Sequence, residues 1–97
     1  MTSQEIALDA ARRWLDEARA HPDIRHAQAA TLATVDADGR PDARVLVVHE
    51  IDARGFAMMT DVRSPTGAQL GREGEPARGA LVFHWRHLER QLRARGP

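Results

Sequence analysis

Thr2, followed three positions later by Glu5, has the form of a capping box, and Ala7, Ala11, Trp14, Leu15 and Ala18 then recur at helical spacing. The His21-Pro22 pair stops the pattern, so an amphipathic helix is predicted over about 3–20. Beyond Pro22 the pattern changes to short β-rich runs, Ala30 to Val35, Asp42 to Ile51 and Gly55 to Thr60. Between them lie Asp36-Ala37-Asp38-Gly39 and Asp52-Ala53-Arg54-Gly55, compact turns that each end on a glycine able to take positive φ. Three strands of an antiparallel meander follow from this. Ser64-Pro65 reads as an N-cap with proline at the first helical position, opening a short helix through Leu70 that Gly71 ends, and Gly71 to Pro76 reads as a loop. Ala80 to Trp85 predicts a fourth strand. Leu88 to Arg95 predicts a fifth, with Leu88, Arg90, Leu92 and Ala94 on one face and Glu89, Gln91, Arg93 and Arg95 on the other. The expected architecture is mainly β with α, an α+β fold in which a five-stranded meander between about 29 and 96 follows the N-terminal helix. The fifth strand would leave an open edge that must close on itself, be covered, or pair with another chain.

Length sets the scale of what this pattern can build. Ninety-seven residues form one small domain, 1–97, with one modest core and little left to shape a deep private pocket. A partner chain or a bound ligand is therefore expected. The 14 basic and 14 acidic residues balance, so no whole-chain field draws the protein to nucleic acid or to an anionic membrane. All 14 basic residues are arginine. Without lysine there is no side-chain Schiff base; without cysteine or tyrosine there is no thiolate nucleophile, disulfide, zinc-thiolate site or phenolic acid. Chemistry must come from His, Asp, Glu, Ser, Thr or a bound cofactor. No run approaches the roughly 20 apolar residues of a membrane span, and no apolar run follows a basic start, so the expected compartment is the cytoplasm.

Isolated motifs add little. His84 and His87 are three apart, which on one strand puts them on opposite faces, and no metal site is expected there. Asp36, Asp38 and Gly39 resemble the start of a calcium loop, but Val47 stands where that loop needs its bidentate glutamate, so turn chemistry accounts for the cluster. Ser3 and Ser64 lack the Gly-x-Ser-x-Gly elbow of a hydrolase nucleophile and read as residues at helix starts. Arg86, Arg90, Arg93 and Arg95 form a basic stripe against Glu89, but without interleaved aromatics it reads as a surface for solvent or one phosphate group, and no nucleic-acid partner is expected.

The strands taken together are more specific. Ala33-Thr34-Val35-Asp36, then Gly39-Arg40-Pro41, then Arg44-Val45-Leu46-Val47-Val48 resemble the first hairpin of the pyridoxamine 5′-phosphate oxidase family of FMN-binding split barrels, where L-A-T-V-D leads through G-x-P into R-x-V-L-L-K. Gly55-Phe56 and Thr60 match its G-F-x-F-x-T-N, and Ser64, Gly67, Gln69 and Leu70 fall along its S-R-K-x-x-Q-L segment. Ala80-Leu81-Val82-Phe83, Trp85 and Leu88-Glu89-Arg90-Gln91-Leu92 are similar to its A-L-x-F-x-W-x-x-L-x-R-Q-V strand pair. The resemblance runs over about residues 27 to 96 in order and without a gap.

The resemblance implies a split β-barrel of antiparallel strands, a homodimer with FMN at the subunit interface, and oxidation of a small-molecule substrate by hydride transfer to the flavin. It implies that the strand carrying Arg44, Val45, Leu46 and Val47 lies along the flavin ring, with Arg44 on the phosphate. Thr60, Ser64 and Thr66 would lie near that phosphate, and Gln91 would approach the flavin, commonly from the other subunit. Arginine suits phosphate because its planar fork gives two parallel charge-assisted hydrogen bonds. Four positions depart from the family pattern: His49 replaces the strand-end lysine near the substrate, Pro65-Thr66 replaces the Arg-Lys pair on the phosphate, and Met59 replaces a tyrosine. A free helix N-terminus at Pro65-Thr66-Gly67, with the Thr66 hydroxyl, would offset part of the lost charge. His49 in Val47-Val48-His49-Glu50-Ile51 also resembles the phenazine-biosynthesis flavoprotein branch. Two other readings stand beside the enzyme: a non-catalytic barrel that binds a partner chain or another ligand through its open edge, and a piece of a longer chain with a sticky edge.

Overall fold

In the computed structural model, which describes residues 2–52, 55–58 and 79–96, one helix packs on an antiparallel sheet. Helix α1 spans Ser3–Ala20, and both bonds of its capping box form: the Glu5 amide donates to Thr2 Oγ1 at 3.1 Å and the Thr2 amide to Glu5 Oε2 at 3.4 Å. His21 leaves the helix with extended dihedrals, as a residue before proline must. Ala11, Leu15 and Ala18 are buried and Trp14 is half-buried, as the spacing predicts. Ala7 is exposed; the larger Leu8, one position on, takes the place expected for it against the core.

The strands are β1 (Ala29–Val35), β2 (Pro41–Asp52), β3 (Gly55–Met58), β4 (Gly79–Trp85) and β5 (Arg90–Gly96). Asp36 makes the first turn, its Oδ1 accepting from the amides of Asp38 and Arg40, each at 2.9 Å, while Gly39 takes φ +80°. Gly55, at φ +124°, begins β3 opposite Asp52.

The order across the sheet is β3-β2-β1-β4-β5, every pair antiparallel. This corrects the five-stranded meander: β1 to β3 do meander, but β4 returns to pair with β1, so β1 lies at the centre. The fifth strand also begins later than its alternation suggests. Arg86–Leu88 form one 3-10 turn and Glu89 is left-handed at φ 52°, because Trp85 pairs with Arg90 and the four residues between must reverse the chain. From Arg90 the alternation is as read, with Arg90, Leu92 and Ala94 half-buried and Gln91, Arg93 and Arg95 exposed. Among the described residues the sheet is open, with β3 and β5 at its edges.

Directly paired residues share a face. Ala30, Leu32 and Thr34 of β1, Leu46 and Val48 of β2, and Leu81, Phe83 and Trp85 of β4 form the inner face, onto which α1 packs. Phe83 and Trp85 stack at 5.0 Å, and the Trp85 indole N–H donates to the Ala27 carbonyl at 2.8 Å. Arg90 ties α1 to β5, its guanidinium 4.8 Å from the centre of the Trp14 ring and paired with Glu17. The outer face carries Thr31, Val35, Val45, Val47, Val82, His84 and Gln91. No helix among the described residues is long and apolar enough to cross a membrane.

Candidate functional site

β2 gathers five of the predicted site residues. Its alternation turns Arg44 and Leu46 toward the inner face and Val45 and Val47 toward the outer one. Leu46 packs against the core, whereas Val45 and Val47 are 69% and 50% exposed, unusual for valine. Arg44 is held in place: Nη1 donates to Thr34 Oγ1 at 2.9 Å and Nη2 to Asp42 Oδ2 at 3.0 Å, with 20% of the side chain exposed. Thr34 is itself 2% exposed, so its hydroxyl is satisfied inside the protein. The arrangement presents a fixed guanidinium at the end of an apolar strand, with a carboxylate beside it.

Among the described residues, β3 pairs with β2 between Val48 and Asp52. Among the described residues, the edge of Val45–Val47 turned away from β1 therefore meets no strand. An exposed strand edge offers backbone donors and acceptors to a planar partner. That donor set, with a cation one residue away, fits the ring edge and phosphate of a flavin mononucleotide.

His49 lies where the β2–β3 ladder slips. Val48 faces Met58 and Glu50 faces Ala57, so His49 is the extra residue of a bulge and its side chain is exposed. Gln91 is exposed on β5 opposite His84. It shares the outer face with Val45 and Val47, but β1 and β4 intervene, a separation of about 14 Å at the usual strand spacing. One chain does not bring Gln91 to β2. Thr60, Ser64 and Thr66, with the short helix predicted from Ser64, lie outside the described residues. His87 falls in the turn after β4 and not on the strand with His84, so the two do not lie on opposite faces of one strand as expected; the His87 ring stacks on His21 at 5.7 Å.

Thr34 and Asp42 hold Arg44 in the candidate site and are not among the predicted site residues. Both carried a signal: Thr34 is the polar member of the Ala30-Leu32-Thr34 inward series, and Asp42 precedes Arg44 by one strand repeat. Gln28, which bonds to the bulge, precedes the strand and had no periodic signal.

The family model described as pyridoxamine 5′-phosphate oxidase matches residues 16–97. The chain belongs to that family, and its open antiparallel sheet with an N-terminal helix agrees with the family's α+β split barrel. The match begins inside α1, earlier than the strand motifs alone reach. Among similar proteins, the pyridoxine/pyridoxamine 5′-phosphate oxidase of Cupriavidus necator is 46% identical over 85 residues, covering 88% of this chain and 38% of the relative. That of Azorhizobium caulinodans is also 46% identical over 85 residues, with 87% and 38% covered. That of Caulobacter vibrioides is 39% identical over 97 residues, with 99% and 41% covered. The chain thus spans about two fifths of the length of these relatives.

Proposed function

We propose that this chain is the flavin-holding part of a cytoplasmic, homodimeric FMN-dependent oxidoreductase that acts on a small substrate, as its relatives' names suggest for pyridoxine or pyridoxamine 5′-phosphate. The observation that carries the reading is the fixed guanidinium of Arg44, held by Thr34 and Asp42 on the strand that exposes Val45 and Val47. The chemistry FMN supplies when bound is two-electron redox, with a hydride taken up from the reduced substrate. The residues of this chain would do the holding. Val45–Val47 would bond the ring edge through the backbone, Arg44 would take the phosphate with Thr60, Ser64 and Thr66 nearby, and His49 would face the substrate.

Two observations support the dimer. Val35, Val45 and Val47 leave an apolar area on the outer face that a second copy would cover. Gln91 is three strands from β2, so a Gln91 that reaches a flavin on β2 would come from the other subunit. A second reading, a non-catalytic barrel, is favoured by one feature: Asp42 already pairs with Arg44 and so competes with a phosphate for it. The absorbance spectrum of the purified chain, before and after added FMN and removal of the excess, separates the two. The flavoprotein retains a visible flavin band; the non-catalytic barrel retains none.

A further inference from the structure

The bulge at His49 has a fastener. In an unbroken strand Val48 and Ile51, three apart, would point to opposite faces, yet both are fully buried in one core because the extra residue between them restores the phase. Such a bulge frees backbone groups that need partners. Gln28 supplies them. Its backbone carbonyl accepts from the Val48 amide at 2.8 Å, and its side-chain amide nitrogen donates to the carbonyls of Val48 at 3.2 Å and His49 at 3.4 Å. Two amide hydrogens thus meet two carbonyls. Gln28 is itself held from both sides: the Ala27 carbonyl accepts from the Trp85 indole, and the Ala29 amide donates to the His26 carbonyl at 3.1 Å. The reach of its side chain is therefore set by the core rather than by solvent.

We propose that Gln28 is a positioning residue of the flavin site, which locks the β2 bulge and so fixes both the outward direction of His49 and the lie of the Val45–Val47 edge. This rests on the flavin reading above. The core demands that one extra residue lie between Val48 and Ile51, but it does not decide which of the intervening peptides bulges. The Gln28 amide makes that choice by bonding two particular carbonyls. A bulge displaced by one residue would turn His49 to another direction and shift the backbone that precedes it.

The test uses the 97-residue chain with Gln28→Glu, which keeps the shape but removes the donors, and Gln28→Ala, which removes the group. Hydrogen exchange followed by NMR without ligand is expected to quicken by about tenfold or more at the amides of residues 48–51, with shifted His49 ring signals, while α1 and the β4–β5 ladder keep their protection. FMN and riboflavin are expected to bind about three- to tenfold more weakly, by the same factor for both, because the change lies at the ring edge and not at the phosphate. Exchange that is unchanged at the bulge, or that quickens uniformly over the whole chain, overturns the lock. Variants with an altered bulge but full affinity for both ligands overturn the positioning role alone. Absence of flavin binding by the unsubstituted chain overturns the flavin reading and this role with it.

Discussion

Arg44 is the residue on which the account turns, and its neighbours decide how strongly it can act. Asp42, half-exposed beside it, neutralises part of its charge, and opposite charges about 4 Å apart in water are worth about 1 kcal/mol. Asp42→Asn is expected to tighten FMN about two- to tenfold and to leave riboflavin, which lacks the phosphate, nearly unchanged; fluorescence quenching measures both. Equal effects on the two ligands would place Arg44 away from the phosphate. Thr34 is the inward support of the same guanidinium. Thr34→Val keeps the shape and leaves a charged donor without its buried acceptor, so a loss of about 1–3 kcal/mol in stability is expected by urea unfolding. Arg44 was readable from the family motif. Its contacts with Asp42 and Thr34 were readable only from the pleat, since those residues lie opposite one another on the same face.

At the scale of elements, local pattern was legible and long-range pairing was not. The capping box, most of the buried positions of α1 and the turn from Asp36 to Gly39 depend on residues close in sequence, and they form as read. The position of β4 beside β1 depends on a contact across most of the chain, which no local period encodes. One sign was present: the third and fourth predicted strands, ending at Thr60 and beginning at Ala80, are separated by far more than the two to five residues that join hairpin strands. The bulge also left a sign, because the inward series Leu46, Val48 breaks step at Ile51. The turn before β5 left none, since Glu89 is an ordinary residue in a left-handed conformation. That makes a test. Glu89→Val, β-branched at φ 52°, is expected to cost about 1–3 kcal/mol in urea unfolding, whereas Glu89→Gly is expected to hold stability within about 1 kcal/mol. Equal losses in both would mean that the turn, not the side chain's strain, is what the substitution disturbs.

On the scale of the whole sheet, α1 packs on one face among the described residues, and Val35, Val45 and Val47 are exposed on the other. A small domain with an exposed apolar area on its sheet is expected to associate. Light scattering of the chain is expected to give the mass of a dimer, and Val45→Asp with Val47→Asp, which charges the outer face without touching the core, is expected to shift it toward the monomer. A monomer at every concentration before substitution would contradict this. The placement of Gln91 three strands from β2 is consistent with a site that two chains would share.

The most direct measurement of the central claim compares FMN with riboflavin on the unsubstituted chain and on Arg44→Ala, by fluorescence titration. If Val45–Val47 hold the ring edge and Arg44 the phosphate, the unsubstituted chain binds both ligands and prefers FMN. Arg44→Ala then weakens FMN by about 1.5–3 kcal/mol, the worth of a charge-assisted contact, and leaves riboflavin almost unaffected. Equal weakening of the two ligands, or FMN affinity unchanged by the substitution, would contradict the account.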